Sequence, residues 1–207
     1  SALSGSQAME IVTSLTTEVG PRLAGSAAET RAREWAVKRL ADLGLQQIRT
    51  EDFEMSAWQR HSEHAEIVTP FPQPLAVTAL GGSVSTAAAG LTGEVVLFNS
   101  LPALRAATPE AVAGKIVYVG HTMQRTQDGS SYGYFNPVRT AGPSVAAQKG
   151  AIAYLLRSIG TDSHRFPHTG SLRYAENTPR IPALALSNPD ADQLERILAG
   201  DSGLIVR

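Results

Sequence analysis

The stretch AGPSVAAQKGAIAYLLRS, Ala141–Ser158, holds two elements side by side. Gly142-Pro143 opens a helix, because the first helical turn does not need the amide hydrogen that proline lacks. That helix is expected from about Ser144 to Lys149. Ala151–Leu156 follows at once as a short, continuous apolar run, the pattern of a buried strand. Working outward, Lys115–Gly120 and Ala183–Leu186 are further apolar strands. Glu63–Thr69, Leu75–Leu80 and Glu94–Phe98 are others, all bounded by Pro, Gly or polar residues. One more helix is expected from about Pro189 to Leu198. Ser187 or Asn188 would cap it, with Pro189 at its first position and Ala191, Leu194, Ile197 and Leu198 on its apolar face. Gly203–Arg207 is a last strand-like run. Beyond Trp58 these two helices are the only ones expected.

Before Trp58 the texture differs. A helix is expected from about Gln7 to Val19, with Ala8, Ile11, Val12, Leu15 and Val19 in one stripe; Ser4 (three residues before Gln7) or Ser6 would cap it. Gly20-Pro21 stops it. A second helix begins after Ser26, which forms an S-x-x-E capping box with Glu29. Ala28, Ala32, Ala36, Leu40 and Leu43 line one face of it, and Gly44 closes it. Leu45–Met55 is then expected to be a strand carrying Ile48 and Phe53. The joint between the two textures is placed near Met55–Ala57, which gives segments 1–54 and 55–207. The fold class expected is α+β.

The chain has 207 residues, 43% of them hydrophobic and 18% charged, with a net charge of -1. That balance suits a packed core and gives no basic footprint for nucleic acid or an anionic membrane. No run of apolar residues is long enough to span a bilayer. There is no Cys, so disulfides, thiolate metal sites and Cys nucleophiles are excluded.

Gly129-Ser130-Ser131-Tyr132-Gly133 matches G-x-S-x-G. A nucleophile elbow needs a buried strand before it and a helix after it. Thr122–Asp128 is polar and Pro137 follows closely, so a Gly/Ser loop is the expectation, and a Ser131 hydrolase remains a reading that a fluorophosphonate probe would test. The five His are His61, His64, His121, His164 and His168. None sits in H-E-x-x-H or H-x-D spacing, so they are read as solvated or capping residues rather than zinc ligands. Arg22, in the link GPRLAGS (Gly20–Ser26), is either a solvated turn residue or a cation facing a cleft. Tyr132, Tyr134, Phe135, Asn136 and Arg139 gather aromatic rings and a cation in a chain only 6% aromatic. They form either a recognition surface or a self-burying loop. His168 lies in a loop between two strand-like regions.

Three segments, AGKIVYVGH (Ala113–His121), Ala141–Ser158 and PRIPALALSNPDADQLERIL (Pro179–Leu198), resemble in this order the protease-associated (PA) domain. The helix pair with GPRLAGS resembles the start of zinc-dependent exopeptidases of the bacterial leucyl aminopeptidase and plasma glutamate carboxypeptidase type. The segment LLRSIGTDSHRFPHTGSLRY (Leu155–Tyr174) is most similar to the latter branch. The resemblance implies that residues 1–54 begin an α/β peptidase domain. It implies that residues 55–207 are a β-rich PA domain, a sandwich or open barrel with flanking helices, serving as lid or cleft wall. It implies two zinc ions for the whole enzyme, with ligands beyond Arg207, so that residues 1–207 alone would not cleave peptides. It also implies a peptide substrate and a secreted or periplasmic location. The expected cleft-facing residues are Arg22, Tyr134, Arg139 and His168, polar or cationic groups on loops that could meet a peptide carboxylate. The rival reading is a stand-alone binding module without catalysis. Apolar helix stripes left exposed, and the self-association they promote, would separate the two.

Overall fold

Val117 and Val119 point to one side of their strand, Ile116 and Tyr118 to the other, and all four are buried. That two-sided burial makes a central strand, covered on both faces. The computed structural model describes residues 5–200 and 203–207, and the chain divides into two compact units, Ser1–Gln59 and Arg60–Arg207.

The second unit carries an eight-stranded sheet. Its strands are β1 (Ala65–Thr69), β2 (Gln73–Leu75), β3 (Val77–Ala79), β4 (Gly93–Phe98), β5 (Ile116–Val119), β6 (Ala153–Arg157), β7 (Ala183–Leu186) and β8 (Ile205–Val206). They lie in the order β2-β1-β8-β4-β5-β6-β7-β3. Strands β4 to β7 are parallel neighbours in chain order, whereas β1, β2, β3 and β8 pair antiparallel. The expected mixture of helices and strands is present. Its centre is a parallel α/β unit, a feature that the sandwich-or-barrel reading did not contain.

Successive crossovers of one hand, stepping in one direction, must cover the same face of a sheet. The helices α3 (Leu101–Ala106) and α4 (Pro109–Val112) bridge β4 and β5. The helices α5 (Ser130–Thr140) and α6 (Gly142–Gln148) bridge β5 and β6. Their buried residues Leu101, Leu104, Val112, Val138 and Ala146 join Val117, Val119, Tyr154, Leu156, Ala183 and Ala185 in one cluster. The crossover from β6 to β7 has no helix, and its Ile159, Leu172 and Ile181 pack into the same cluster. The other face is closed by Ala191 and Leu194 of α7 (Asn188–Gly200) with Ile67, Leu204 and Val206, packed on Ile116, Tyr118, Leu155 and Leu186.

Helix α7 starts as expected. The Ser187 hydroxyl accepts the Asp190 amide at 3.3 Å. The expected α6 also forms. Three helices were not foreseen: α3, α4 and α5. In α5 the chain is helical across Gly133 and Pro137, where a loop was expected. Val138 and Arg139 are buried along it, so tertiary packing outweighs the low helical propensity of Gly and Pro.

In the first unit, α1 (Ala8–Ser14) runs into a single π-helical turn, Leu15–Val19, and α2 spans Ala27–Asp42. Ser26 caps α2 as foreseen, its hydroxyl accepting the Glu29 amide at 3.3 Å. Gln7, without a side-chain cap bond, takes the first N-cap position instead of Ser6, and the Ser4 alternative lies outside the described residues. The Trp35 indole donates to Ser14 Oγ at 2.8 Å, and Arg39 pairs with Glu10 at 2.7 Å. The expected strand over Leu45–Met55 does not form. Among the described residues no strand pairs with it, and Phe53 stays 81% exposed. Gly25, at φ +79°, lets the chain pass against Ala57, whose Cβ would lie 2.9 Å from a Cβ at that position. Val19 is the one buried hydrophobic residue of this unit among those described, while Met9, Val12, Leu40 and Leu43 are exposed.

Candidate functional site

Parallel strands leave a crevice outside their carboxyl ends, and side chains presented there are the usual ligand contacts of open α/β sheets. In this chain those ends carry His121 after β5, Arg157 and Ser158 at the end of β6, and Ser187 after β7. The β6–β7 crossover starts from Ser158 and runs to β7 without a helix. A connection of this length without regular structure is uncommon unless it serves a function.

The crossover is pinned at several points. Arg165 Nε pairs with Asp190 at 2.7 Å, and its Nη2 donates to the Pro74 carbonyl at 2.8 Å. The Thr169 hydroxyl donates to the Ala79 carbonyl at 2.9 Å. The His168 amide donates to Ser158 Oγ at 2.7 Å, and that hydroxyl donates to the Leu186 carbonyl at 2.5 Å. The backbone of His168 is thus tied to the ends of β6 and β7.

The His168 side chain meets α5. Arg139 Nη1 donates to Tyr132 Oη at 2.7 Å, and Tyr132 Oη lies 3.0 Å from His168 Nε2. The phenol and the imidazole share this second hydrogen bond, and which of them donates depends on the tautomer of the ring. The guanidinium also lies 5.6 Å from the centre of the Tyr132 ring. Arg139 is only 8% exposed, forms no ion pair among the described residues, and leaves its buried Nε without a partner. A buried cation without a counter-ion is costly, and its Nε keeps an unused donor.

Gly170 makes room for this arrangement. A Cβ there would stand 2.6 Å from Arg139 Cζ. Its φ is not in the left-handed region, so the constraint is steric. Gly170→Ala is expected to displace the guanidinium and cost about 1–3 kcal/mol, as overpacking does. Urea denaturation measures this, and an unchanged midpoint would mean that Arg139 moves aside freely.

Four side chains were expected to face a cleft. Arg139 and His168 come together through Tyr132. Tyr134 lies on the same helix, 77% exposed, its ring edge-on to Phe135 at 5.0 Å. Arg22 belongs to the first unit, where its Nη1 donates to the Gly20 carbonyl at 2.8 Å. The five-residue aromatic segment is therefore neither wholly exposed nor wholly self-buried. Tyr132 and Phe135 pack inward while Tyr134 projects. Ser131 sits in the first turn of α5, preceded by irregular backbone rather than by a buried strand, so the structural context of a nucleophile elbow is missing.

Two residues escaped the sequence reading. Arg157, 9% exposed, pairs with Asp192 at 2.6 Å and with Glu195 at 3.4 Å, and Tyr118 donates to the same Glu195 at 2.6 Å. Burial opposes the Arg157 charge, but the Asp192 and Glu195 carboxylates outweigh it and hold the guanidinium protonated. His121, read as solvated or capping, is 2% exposed and stacks on Phe135 at 4.9 Å. Neither ring nitrogen has a partner. Burial first, and the Arg157 charge second, push its pKa down to about 4. The available signal was its position, two residues beyond a strand whose every residue is apolar.

Among the described residues no three His, Cys, Asp or Glu side chains gather so as to hold a metal ion. No helix among them is long and apolar enough to cross a membrane.

The chain is 31% identical over 189 residues to carboxypeptidase Q of Bos taurus and 30% identical to that of Homo sapiens. Each alignment takes in 91% of this chain and 39% of the relative. The chain thus spans about two-fifths of the length of these relatives. Among solved structures, a peptidase M28 precursor from Shewanella amazonensis SB2B superposes with a TM-score of 0.91 at 43% identity, over 98% of this chain and 46% of that one. A zinc aminopeptidase from Bacillus subtilis shares the fold at a TM-score of 0.64 and 18% identity, over 97% of this chain and 42% of its own. No family model matches the sequence.

Proposed function

We propose a role for this chain from the family that it fits: its homologues are carboxypeptidase Q enzymes and M28 peptidases, and most of the chain matches a part of them. Residues 1–54 are the opening segment of a zinc exopeptidase domain, and residues 55–207 are a PA-type domain carried within it as a wall or lid of the substrate cleft. The whole enzyme trims residues from peptide ends, uses two zinc ions, and works in a secreted or periplasmic setting. Among the described residues no cluster fits a zinc site, and no step is assigned to them through the metal.

Two features of the chain support this placement. The incoming strand β1 and the outgoing strand β8 are antiparallel neighbours. Glu66 and Arg207 exchange backbone hydrogen bonds of 2.8 and 3.0 Å, and their side chains also pair. A domain whose two ends meet can sit inside a loop of another domain. The exposed apolar residues of α1 and α2 favour a missing partner surface over a self-sufficient binding module.

The observation that carries the substrate role is the buried Arg139, which has no counter-ion among the described residues. In the proposed function it receives a carboxylate of the peptide, with Tyr132 holding the guanidinium and His168 holding the phenol. Arg22 and Tyr134 are cleft-facing residues on the same reading. The experiment measures kcat/KM of the full-length, zinc-loaded gene product on dipeptides with free and amidated C-termini. Arg139→Ala is expected to lower the value for the free acid roughly 10- to 100-fold, the loss of a charge-assisted hydrogen bond, and to leave the amide nearly unchanged. Equal losses on both substrates would sink the carboxylate role. A wild-type enzyme that cleaves no peptide would sink the peptidase reading itself.

A further inference from the structure

Beside the Arg139 network, α3 and α5 enclose a second concavity, about 180 Å³ in volume, lined by Leu101, Arg105, His121, Tyr134, Phe135 and Val138 among others. It lies where β4 and β5 end, since Ser100 and His121 follow those two strands. We propose that it is a binding site for a monocyclic aromatic carboxylate, with Arg105 taking the carboxylate and His121 meeting a ring hydroxyl. This site does not depend on the peptidase reading.

Three observations carry it. The volume fits one ring, since an engineered apolar cavity of about 150 Å³ accepts benzene. The walls are aliphatic and aromatic, and the T-shaped Tyr134–Phe135 pair offers ring faces and edges to another aromatic group. The polar side chains are few: Ser100, which caps α3, Tyr134, and two that lack hydrogen-bond partners among the described residues, Arg105 and His121. Arg105 is exposed and forms no hydrogen bond or ion pair among the described residues. His121 is buried with both nitrogens unpaired, a state that folded proteins rarely leave unexplained. A ligand hydroxyl supplies the missing partner once the imidazole or the stacked Phe135 ring turns. An apolar pocket with a few convergent polar groups is the usual form of a small-molecule site.

The probe is 4-hydroxyphenylacetate, titrated into the 207-residue chain while the histidine ring signals are followed by NMR. A saturable shift at His121 is expected. Arg105→Ala, a surface change, should weaken binding roughly tenfold or more, because a charge-assisted contact is lost. The same variant should not alter the weaker binding of 4-hydroxyphenylacetamide. His121→Phe should erase the preference for 4-hydroxyphenylacetate over phenylacetate. Gly-Tyr distinguishes the sources: binding as tight as that of the free acid identifies a peptide end, and much weaker binding identifies a free aromatic acid. No saturable shift at His121, or equal affinity in wild type and both variants, overturns the proposal.

Discussion

Gly142→Ala is expected to be the most damaging small substitution in the second unit. Gly142 is buried at the first position of α6, and a Cβ there would lie 2.1 Å from Tyr154 Oη and 2.6 Å from its Cζ. Tyr154 is fully buried as the second residue of β6, and its hydroxyl donates to the Val138 carbonyl at 2.7 Å. The ring has nowhere to retreat, because Val119, Leu156 and Ala183 fill the same cluster. Alanine gains at most about 1 kcal/mol of helical propensity. Overpacking costs about 1–3 kcal/mol, and stranding the hydroxyl and the carbonyl adds a similar amount. The steric effect therefore wins, and a net loss of roughly 2–4 kcal/mol is expected in urea denaturation. In a Tyr154→Phe background the same change should cost less, since the nearest atom is gone. Additive losses in the double variant would show that the two sites do not touch.

The second large effect is acid destabilisation through His121. The folded protein keeps this imidazole neutral down to about pH 4, while the unfolded chain titrates it near the ordinary value of 6.5. Between those values the unfolded state binds the extra proton, so stability rises with pH. The contribution is complete above pH 6.5 and is lost as pH falls through that window, up to roughly 3 kcal/mol. His121→Phe keeps a ring against Phe135 and removes the titration. Its stability should fall less between pH 6.5 and 4 than that of the wild type. Parallel stability–pH curves for the two proteins would remove His121 as the cause.

The strands at the centre of the sheet could be read from sequence because their apolar runs are local. Ile116–Val119 and Ala183–Leu186 need no distant partner to declare themselves buried, and Ser187 and Pro189 punctuate α7. Helix α5 could not be read this way. Its sequence contains Gly133 and Pro137, and what holds it is Val138 in the core and Phe135 against His121. Leu45–Met55 failed in the opposite sense, for its extended pattern finds no neighbour to pair with. The site was half legible. Arg139 and His168 stand out in the sequence as polar or cationic loop groups, yet the phenol joining them emerges only when α5 folds against the β6–β7 crossover. Burial of His121 is likewise a product of Phe135 lying over it, fourteen positions on in the sequence.

The antiparallel pairing of β1 and β8 has a consequence for how a longer chain acquires its structure. Bringing together two flanks separated by a flexible stretch of about 150 residues costs roughly 4 kcal/mol of chain entropy. Once residues 60–207 have folded, their two ends stand one ladder apart, and that cost has already been met inside the domain. The flanking segments then find each other almost as if they were contiguous. On the proposed placement of residues 55–207 inside a host domain, their folding is expected to precede and accelerate assembly of that host, and substitutions that separate Glu66 from Arg207 are expected to slow the host more than they weaken the segment itself.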